Sequence, residues 1–431
     1  MKIFKFGGAS VKDADSVRNV AEVMKKFPGQ PIIVVVSAMG KITNSLETLV
    51  DAFVLKKGDP RTIAEQIKKY HFEVIKNLFP NTGHPVYAEV DAVFSTLNTN
   101  LSGTPSDLYN REYDQIVSLG EIISSKIVSA YLNEAGIKNI WLDVREVVKT
   151  DDTYREGKVD WEETERNLST PSRAALPAFS SPKGGELGDG LVVTQGFIGK
   201  APDGFTTTLG REGSDYTAAI LAYCTNAESV TIWKDVPGVM NADPKWFDET
   251  QLIDQMSYQD AIELAYYGAT VIHPKTIKPL QNKKIPLYVR SFLKPDAPGT
   301  LINEKQSQLP IPCFIFKVKQ ILLSISPKDF SFIVEENFSD IFKIFSEHNV
   351  KINVMQNSAI SFSVCTDNDE RKIPELIKSL QKKFRVLYND PVELITIRYY
   401  NQATIDRVCI GKKVFLEHKS RYTVQLVVKN K

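Results

Sequence analysis

The chain has little of what several large protein classes require. Its 431 residues include only four cysteines and five histidines. Cys224, Cys313, Cys365 and Cys409 lie far apart, with no CxxC pair and no histidine at ligand spacing. That pattern excludes a disulfide framework and a thiolate zinc site, and predicts reduced thiols in the core of a cytoplasmic protein. No run approaches the ~18 apolar residues of a membrane-spanning helix, and the first residues read as a strand and not as a secretory leader. Charge of one sign is also missing. With 53 Lys and Arg against 52 Asp and Glu, the formal net charge is +1, so there is no global electrostatic case for nucleic acid or an anionic membrane as partner.

What is present is the mixture of a folded globular chain, 42% apolar and 24% charged. At ~150 residues per domain the length predicts two or three domains. Strand-like and helix-like stretches alternate as far as residue 305. KIFKFGG precedes a helical stretch from Ser16 to Phe27, and PIIVVVSAMG is an apolar run suited to a strand covered on both faces. Residues 45–135 carry mostly helical pattern and read as an inserted helical layer. Strands return in IKNIWLDV, GLVVTQGFIG, SVTIWKDVPG and KIPLYVRS. This alternation predicts an α/β fold with a mainly parallel sheet between helical layers and ligands outside the carboxyl ends of its strands.

Past LKPDAPGTLI the pattern changes to βαββαβ, the order of a ferredoxin-like module over 310–390. A strand pair (CFIFKVK, ILLSISP) leads to a helix, a hairpin, a second helix and the strand RVLYND. Residues 391–431 read as a second such unit cut short, with a helical piece from Ala403 to Val414, completed by the strand at 311–318 if at all. A missing helix would leave Val424, Leu426 and Val428 uncovered within the chain, which predicts a homodimer held through residues 310–431.

The chemistry concentrates in loops after strands. In KFGGAS, Lys5 stands before Gly7 and Gly8, which remove side chains where the backbone turns or is closely approached. Backbone N–H groups and an ammonium there suit a phosphate, although a surface lysine ahead of an ordinary turn fits the same letters. In TTTLGREGSDYTAA, Arg211 sits in a glycine-flanked turn and Ser214 and Asp215 mark a helix start, a place for an anion. Asp215 also suits a plain capping role. Glu121 interrupts the stripe Val117, Ser124, Val128, Leu132, directly after Gly120, which would let a ligand approach the backbone; a buried carboxylate there needs a cationic partner. Ser37 and Thr43 follow an apolar strand as caps or substrate ligands. Lys234, Asp235 and Lys245 lie in the bent loop WKDVPGVMNADPK, and His273 before a proline reads as structural.

KFGGAS, VVVSAMGKITN, SLGE, TQGFIG with TTTLGREGSDYTAA, WKDVPGVMNADPK and GATVIHPKT stand in the order found in the aspartokinases, which the chain therefore resembles over its first 305 residues. The resemblance implies an amino-acid-kinase αβα sandwich followed by ACT domains, and transfer of the γ-phosphate of ATP, with Mg²⁺, to the β-carboxylate of L-aspartate. This is the first step towards lysine, threonine and methionine. By the same resemblance Lys5 and Asp215 are catalytic. Ser37, Thr43, Glu121, Arg211 and Ser214 bind aspartate, with Arg211 on the α-carboxylate and Glu121 on the ammonium. Lys5, Gly7, Gly8, Ser10, Lys234, Asp235, Lys245 and Thr270 border the nucleotide, and no protein metal cluster is implied. Lysine or threonine is the implied effector. A chain ending at Lys431 is expected to be monofunctional, without a homoserine dehydrogenase domain.

Three positions depart from the family pattern. Glu212 stands where glycine or asparagine is frequent, Thr270 where lysine is frequent, and the second ACT unit is short. Other acceptors within the same fold (acetylglutamate, glutamate, uridylate, carbamate) and a non-catalytic amino-acid sensor are the competing readings.

Overall fold

The computed structural model describes residues 1–169, 190–247, 249–269, 272–306, 310–329 and 331–431. The chain divides into two units. The first comprises Met1–Val239, Leu252–Ile262 and Val271–Gln306; the second comprises Met240–Gln251, Glu263–Thr270 and Ser307–Lys431.

In the first unit the elements run β1 (Lys2–Phe6), α1 (Ala14–Lys25), β2 (Ile32–Val36), α2 (Ile42–Val54), α3 (Pro60–Leu78), α4 (Pro85–Leu101), α5 (Tyr109–Val117), α6 (Leu119–Glu134), β3 (Ile140–Leu142), α7 (Trp161–Ser169), β4 (Leu191–Gln195), β5 (Ile198–Lys200), β6 (Thr206–Thr208), α8 (Gly213–Thr225), β7 (Ser229–Lys234), β8 (Gln255–Ser257), α9 (Tyr258–Tyr267), α10 (Pro274–Asn282), β9 (Leu287–Ser291) and β10 (Thr300–Asn303). Helix α9 continues across the boundary between the units. Eight strands form one sheet in the order β3-β4-β2-β1-β7-β9-β10-β8. All neighbours are parallel except β9 and β10. Every residue of β2 and β4 is buried, as the apolar run in β2 demands of a strand covered on both faces.

Register decides where the chemistry lies. Phe6 pairs with both Val36 and Trp233, and Val36 pairs with Gln195. The loops leaving β1, β2, β4 and β7 therefore emerge side by side at the carboxyl edge. The chain steps from β1 to β2 on one side and reaches β7 on the other, which opens a crevice at that point. Helices α2 to α6 supply the helical layer expected from the sequence. Their buried residues, among them Leu46, Leu49, Phe94, Val117 and Ile127, join Phe4, Phe6 and Trp233 in one apolar core.

The second unit adds β11 (Cys313–Pro327), α11 (Glu335–Glu347), β12 (Ile352–Asn357), β13 (Phe362–Asp367), α12 (Ile373–Gln381), β14 (Phe384–Arg398), α13 (Gln402–Cys409), β15 (Lys412–Lys419) and β16 (Thr423–Asn430). Its six strands lie in the order β12-β13-β11-β14-β16-β15, antiparallel throughout. The expected strand pair CFIFKVK and ILLSISP is one continuous strand. It is bent at a bulge between Lys317 and Gln320, where Lys319 takes a φ of 54°. RVLYND and VELITIRYY likewise merge into β14.

Two further expectations need correction. The helical piece ends at Cys409 and not at Val414, because Gly411 turns at a φ of 69° and the following residues pair with β16. Val424, Leu426 and Val428 are not uncovered. Each is fully buried against Phe314, Ile395, Ile397 and the α13 residues Ile405 and Val408. One short helix suffices because the segment of β11 ahead of the bulge pairs with β14 and contributes Phe314 to the same apolar layer.

Cys224, Cys313 and Cys365 are buried free thiols, and Cys409 is a partly exposed one. No helix among the described residues is long and apolar enough to cross a membrane.

Candidate active site

At the carboxyl edge of the large sheet lies a cleft of about 920 Å³. Lys5, the penultimate residue of β1, is 8% exposed, and its Nζ lies 2.5 Å from Oδ1 of Asp215 in the first turn of α8. Lys234, at the end of β7, places Nζ 3.7 Å from the other oxygen, Oδ2. Burial alone would raise the Asp215 carboxyl, but Lys5 and then Lys234 override it and hold it below the usual carboxylate range. Asp215 is thus an anchored anion that presents two ammonium groups to the cleft.

The two glycines after Lys5 have separate reasons. A Cβ on Gly7 would stand 3.3 Å from Lys5 Nζ, so its absence leaves room for the ammonium. A Cβ on Gly8 would fall 2.8 Å from the carbonyl oxygens of both Ala38 and Gly40, and the Gly40 N–H donates to the Gly8 carbonyl at 3.0 Å. The loops after β1 and β2 touch backbone to backbone there, which only glycine permits. Ser10, expected beside the nucleotide, is 1% exposed and donates to the Trp233 carbonyl at 3.3 Å, fastening the first loop to β7.

Glu121 forms the floor. It is 3% exposed, one carboxylate oxygen accepts from the Ala38 N–H at 3.3 Å, and the other has no partner. Burial pushes it up to about 8, against the Ala38 N–H and Lys5. A buried oxygen left unsatisfied beside a cleft is costly unless a ligand completes it. Gly120, however, does not bring a ligand to the backbone. A Cβ there would meet Ala38 Cβ and Leu46 Cδ1 at 3.0 Å, so its role is to let α6 pack against the β2 loop and α2.

The third wall is the loop before α8. Ser37, Thr43, Ser214 and Arg211 all line the cleft, and Arg211 is exposed. Two glycines again allow close approach between loops: a Cβ on Gly196 would lie 2.4 Å from Ser214 Cβ, and one on Gly213 would lie 2.5 Å from Phe197 Cδ2. Glu212 stands in a backbone conformation that glycine or asparagine would adopt more readily. It caps α8 in the left-handed region, φ 54°, makes no capping hydrogen bond and keeps a buried carboxylate oxygen without a partner. Glu212→Asn, which tolerates this conformation and removes a buried unpartnered carboxylate oxygen, is expected to stabilise the protein by about 1 kcal/mol in chemical denaturation. A loss of stability would contradict the strain argument.

Asp235 is exposed just beyond β7, and Lys245 belongs to the second unit, where its backbone N–H donates to Asp243. Thr270 lies outside the described residues. His273 caps α10, its Nδ1 accepting from the Lys275 N–H at 3.1 Å, in line with a structural role. Phe197, Thr208, Glu47, Tyr113 and Arg155 also line the cleft without having been singled out in the sequence. Only Glu47 had a local signal, one helical turn after Thr43. Asp114, fully buried, accepts from Thr208 N and Oγ1 at 2.9 and 2.7 Å and from Arg155 N at 2.9 Å, bracing that side of the cleft.

Residues 1–291 match the model of the amino acid kinase family. Over 424 residues the chain is 30% identical to the lysine-sensitive aspartokinase 3 of Escherichia coli, covering 96% of this chain and 90% of that one. The chain belongs to the aspartokinases, within the amino acid kinase family. Two solved structures of E. coli aspartokinase III are similar over 99% of this chain at 27% identity. The one in complex with lysine and aspartate has a TM-score of 0.81 with 95% of its chain covered; the one in complex with aspartate and ADP has 0.78 with 96% covered. Membership explains the architecture: a mainly parallel sheet sandwich with a cleft at its carboxyl edge, and an antiparallel C-terminal region.

Proposed function

We propose that the protein transfers the γ-phosphoryl group of ATP to the β-carboxylate of L-aspartate, giving 4-phospho-L-aspartate. The observation that carries this reading is the buried Lys5–Asp215–Lys234 network, which lines one cleft with Arg211 and the unpartnered oxygen of Glu121. The related E. coli enzyme, in complex with aspartate and ADP, supports the same substrates.

The attack joins two anions, so the work is positioning and charge neutralisation. No general base is needed, because the nucleophile is already a carboxylate. Lys5 stabilises charge on the transferring group, Lys234 and Asp235 border the nucleotide, and the N–H groups at Gly7, Gly8 and the α8 start face the phosphates. Arg211 grips the α-carboxylate, Glu121 takes the ammonium, and the hydroxyls of Ser37, Thr43 and Ser214 fix the acceptor between them. Among the described residues no group of three acidic, histidine or cysteine side chains gathers at ion spacing. Mg²⁺, brought in with the triphosphate, would offset its charge beside Lys5 and Lys234.

The reading is tested by aspartate-dependent ADP release together with trapping of the acyl phosphate by hydroxylamine. Equal ADP release without aspartate, or faster turnover with N-acetylglutamate or glutamate, would overturn it. A second expectation comes from Glu121. Raised to about 8, it is protonated in the free site at neutral pH, whereas an ammonium ligand calls for the carboxylate. The KM for aspartate should therefore fall as pH rises from about 6.5 to about 8.5, and Glu121→Gln should raise KM and abolish that slope.

A cytoplasmic homodimer with lysine or threonine as effector completes the proposal. The dimer is supported by exposed apolar residues around α11 and the edge strand β12: Phe332 at 72%, with Met355 and Ile360 at 49% each. Sedimentation of the purified chain, with and without each amino acid, tests both points. A monomer indifferent to lysine and threonine would refute them.

A further inference from the structure

Glu47, Tyr113 and Arg155 build a wall of the cleft from three places far apart in the chain. The Tyr113 hydroxyl donates to Glu47 Oε1 at 2.6 Å, across 66 residues of sequence. The ring, 6% exposed, carries the Arg155 guanidinium, whose carbon lies 4.2 Å from the ring centre. Glu47 stands one turn after Thr43 on α2, and so on the acceptor side.

The loop around Arg155 also abuts the loop of Arg211. A Cβ on Gly210 would fall 3.4 Å from the Arg155 carbonyl oxygen and 3.5 Å from Glu156 Cγ, and Gly157 N–H donates to the Thr208 carbonyl at 2.9 Å. Both arginines are exposed, and among the described residues neither guanidinium makes an ion pair. The nearby carboxylates are engaged elsewhere, Glu47 by the Tyr113 hydroxyl and Asp114 by Thr208 and the Arg155 backbone N–H, so the two guanidinium forks can take an anionic ligand. An arginine stacked on a ring that is itself hydrogen-bonded keeps its planar fork oriented for a carboxylate.

Arg155 takes a φ of 70°, a left-handed conformation that glycine adopts without cost. Retaining an arginine there points to a use for its side chain.

We propose that Arg155, steadied by Tyr113 and Glu47, is a second guanidinium for the α-carboxylate of the acceptor and a determinant of acceptor specificity. This rests on the aspartate kinase reading above. Both carboxylate oxygens are then engaged by arginines, which leaves the β-carboxylate as the free nucleophile.

Arg155→Gly separates binding from folding, since it relieves the left-handed strain. Its melting temperature should hold or rise. The KM for aspartate should increase about 10-fold or more, with that for ATP within about two-fold, as expected for the loss of a charge-assisted contact. Tyr113→Leu should act in the same direction, and the double variant should add little to either single one. With L-aspartate α-amide as acceptor, which lacks the α-carboxylate, the Arg155→Gly effect should vanish. An unchanged KM for aspartate in Arg155→Gly, or an equal rise for aspartate and its α-amide, would overturn the inference while leaving the kinase reading standing. Absence of aspartate-dependent turnover in the unaltered protein would overturn the kinase reading and this inference with it.

Discussion

Lys5→Ala should lower kcat by at least about 100-fold while the protein still folds, because the ammonium stabilises charge that grows in the transition state by roughly 3 kcal/mol. Its position supports this. Lys5 is held 2.5 Å from a buried carboxylate at the point where three loops meet, with Gly7 leaving room for its ammonium. Breaking a buried ion pair generally costs about 3–5 kcal/mol, since a charge is left without compensation. Here Lys234, 3.7 Å from Asp215, remains as a second cation and limits the loss. A lowered melting temperature is therefore expected, but with a cooperative transition preserved. Steady-state kinetics beside a thermal melt check both halves of the prediction. A folded Lys5→Ala protein with near-normal turnover would remove Lys5 from the chemistry.

Arg211→Ala should raise the KM for aspartate by about 100-fold while changing that for ATP only slightly, because the lost contact is a fork matched to a carboxylate. Arg211→Lys should recover little, as an ammonium cannot reproduce two parallel hydrogen bonds. Folding is not at stake: the side chain is exposed in a turn and makes no ion pair among the described residues. Binding isotherms for aspartate and for ATP, measured separately, separate the two ends of the cleft. A loss confined to ATP would place Arg211 on the nucleotide side.

Much of the site could be read from the letters because its parts are local. Lys5 with Gly7 and Gly8, Ser37 with Thr43, and Arg211 with Ser214 and Asp215 each lie within one loop at the end of a strand. An apolar run that stops at glycine or serine marks such a place. Glu121 was visible as a carboxylate on an apolar helical stripe, and its 3% exposure excludes the alternative of a glutamate at a solvent edge. The remainder depended on partners distant in sequence. Gly120 resembles a ligand gap until Leu46 and Ala38 are seen against it. Ser10 resembles a phosphate ligand until its hydroxyl is seen on the Trp233 carbonyl. Val424, Leu426 and Val428 resemble an uncovered face until α13 is seen to pack Ile405 and Val408 on them and the start of β11 is seen to widen the same layer with Phe314.

The sequence by itself determined the alternation of strands and helices, the change of pattern near residue 310, and the loops that carry charge, since hydrophobic period and glycine placement are properties of adjacent residues. Only the tertiary structure decided how those loops share one edge, because Phe6, Val36, Gln195 and Trp233 come into register through pairing between strands that no local pattern specifies. It alone also brought Arg155 onto Tyr113 and Tyr113 onto Glu47. Contacts of that kind arise when separate segments bury their apolar faces together, and a neighbour chosen by packing leaves no periodic mark in the chain.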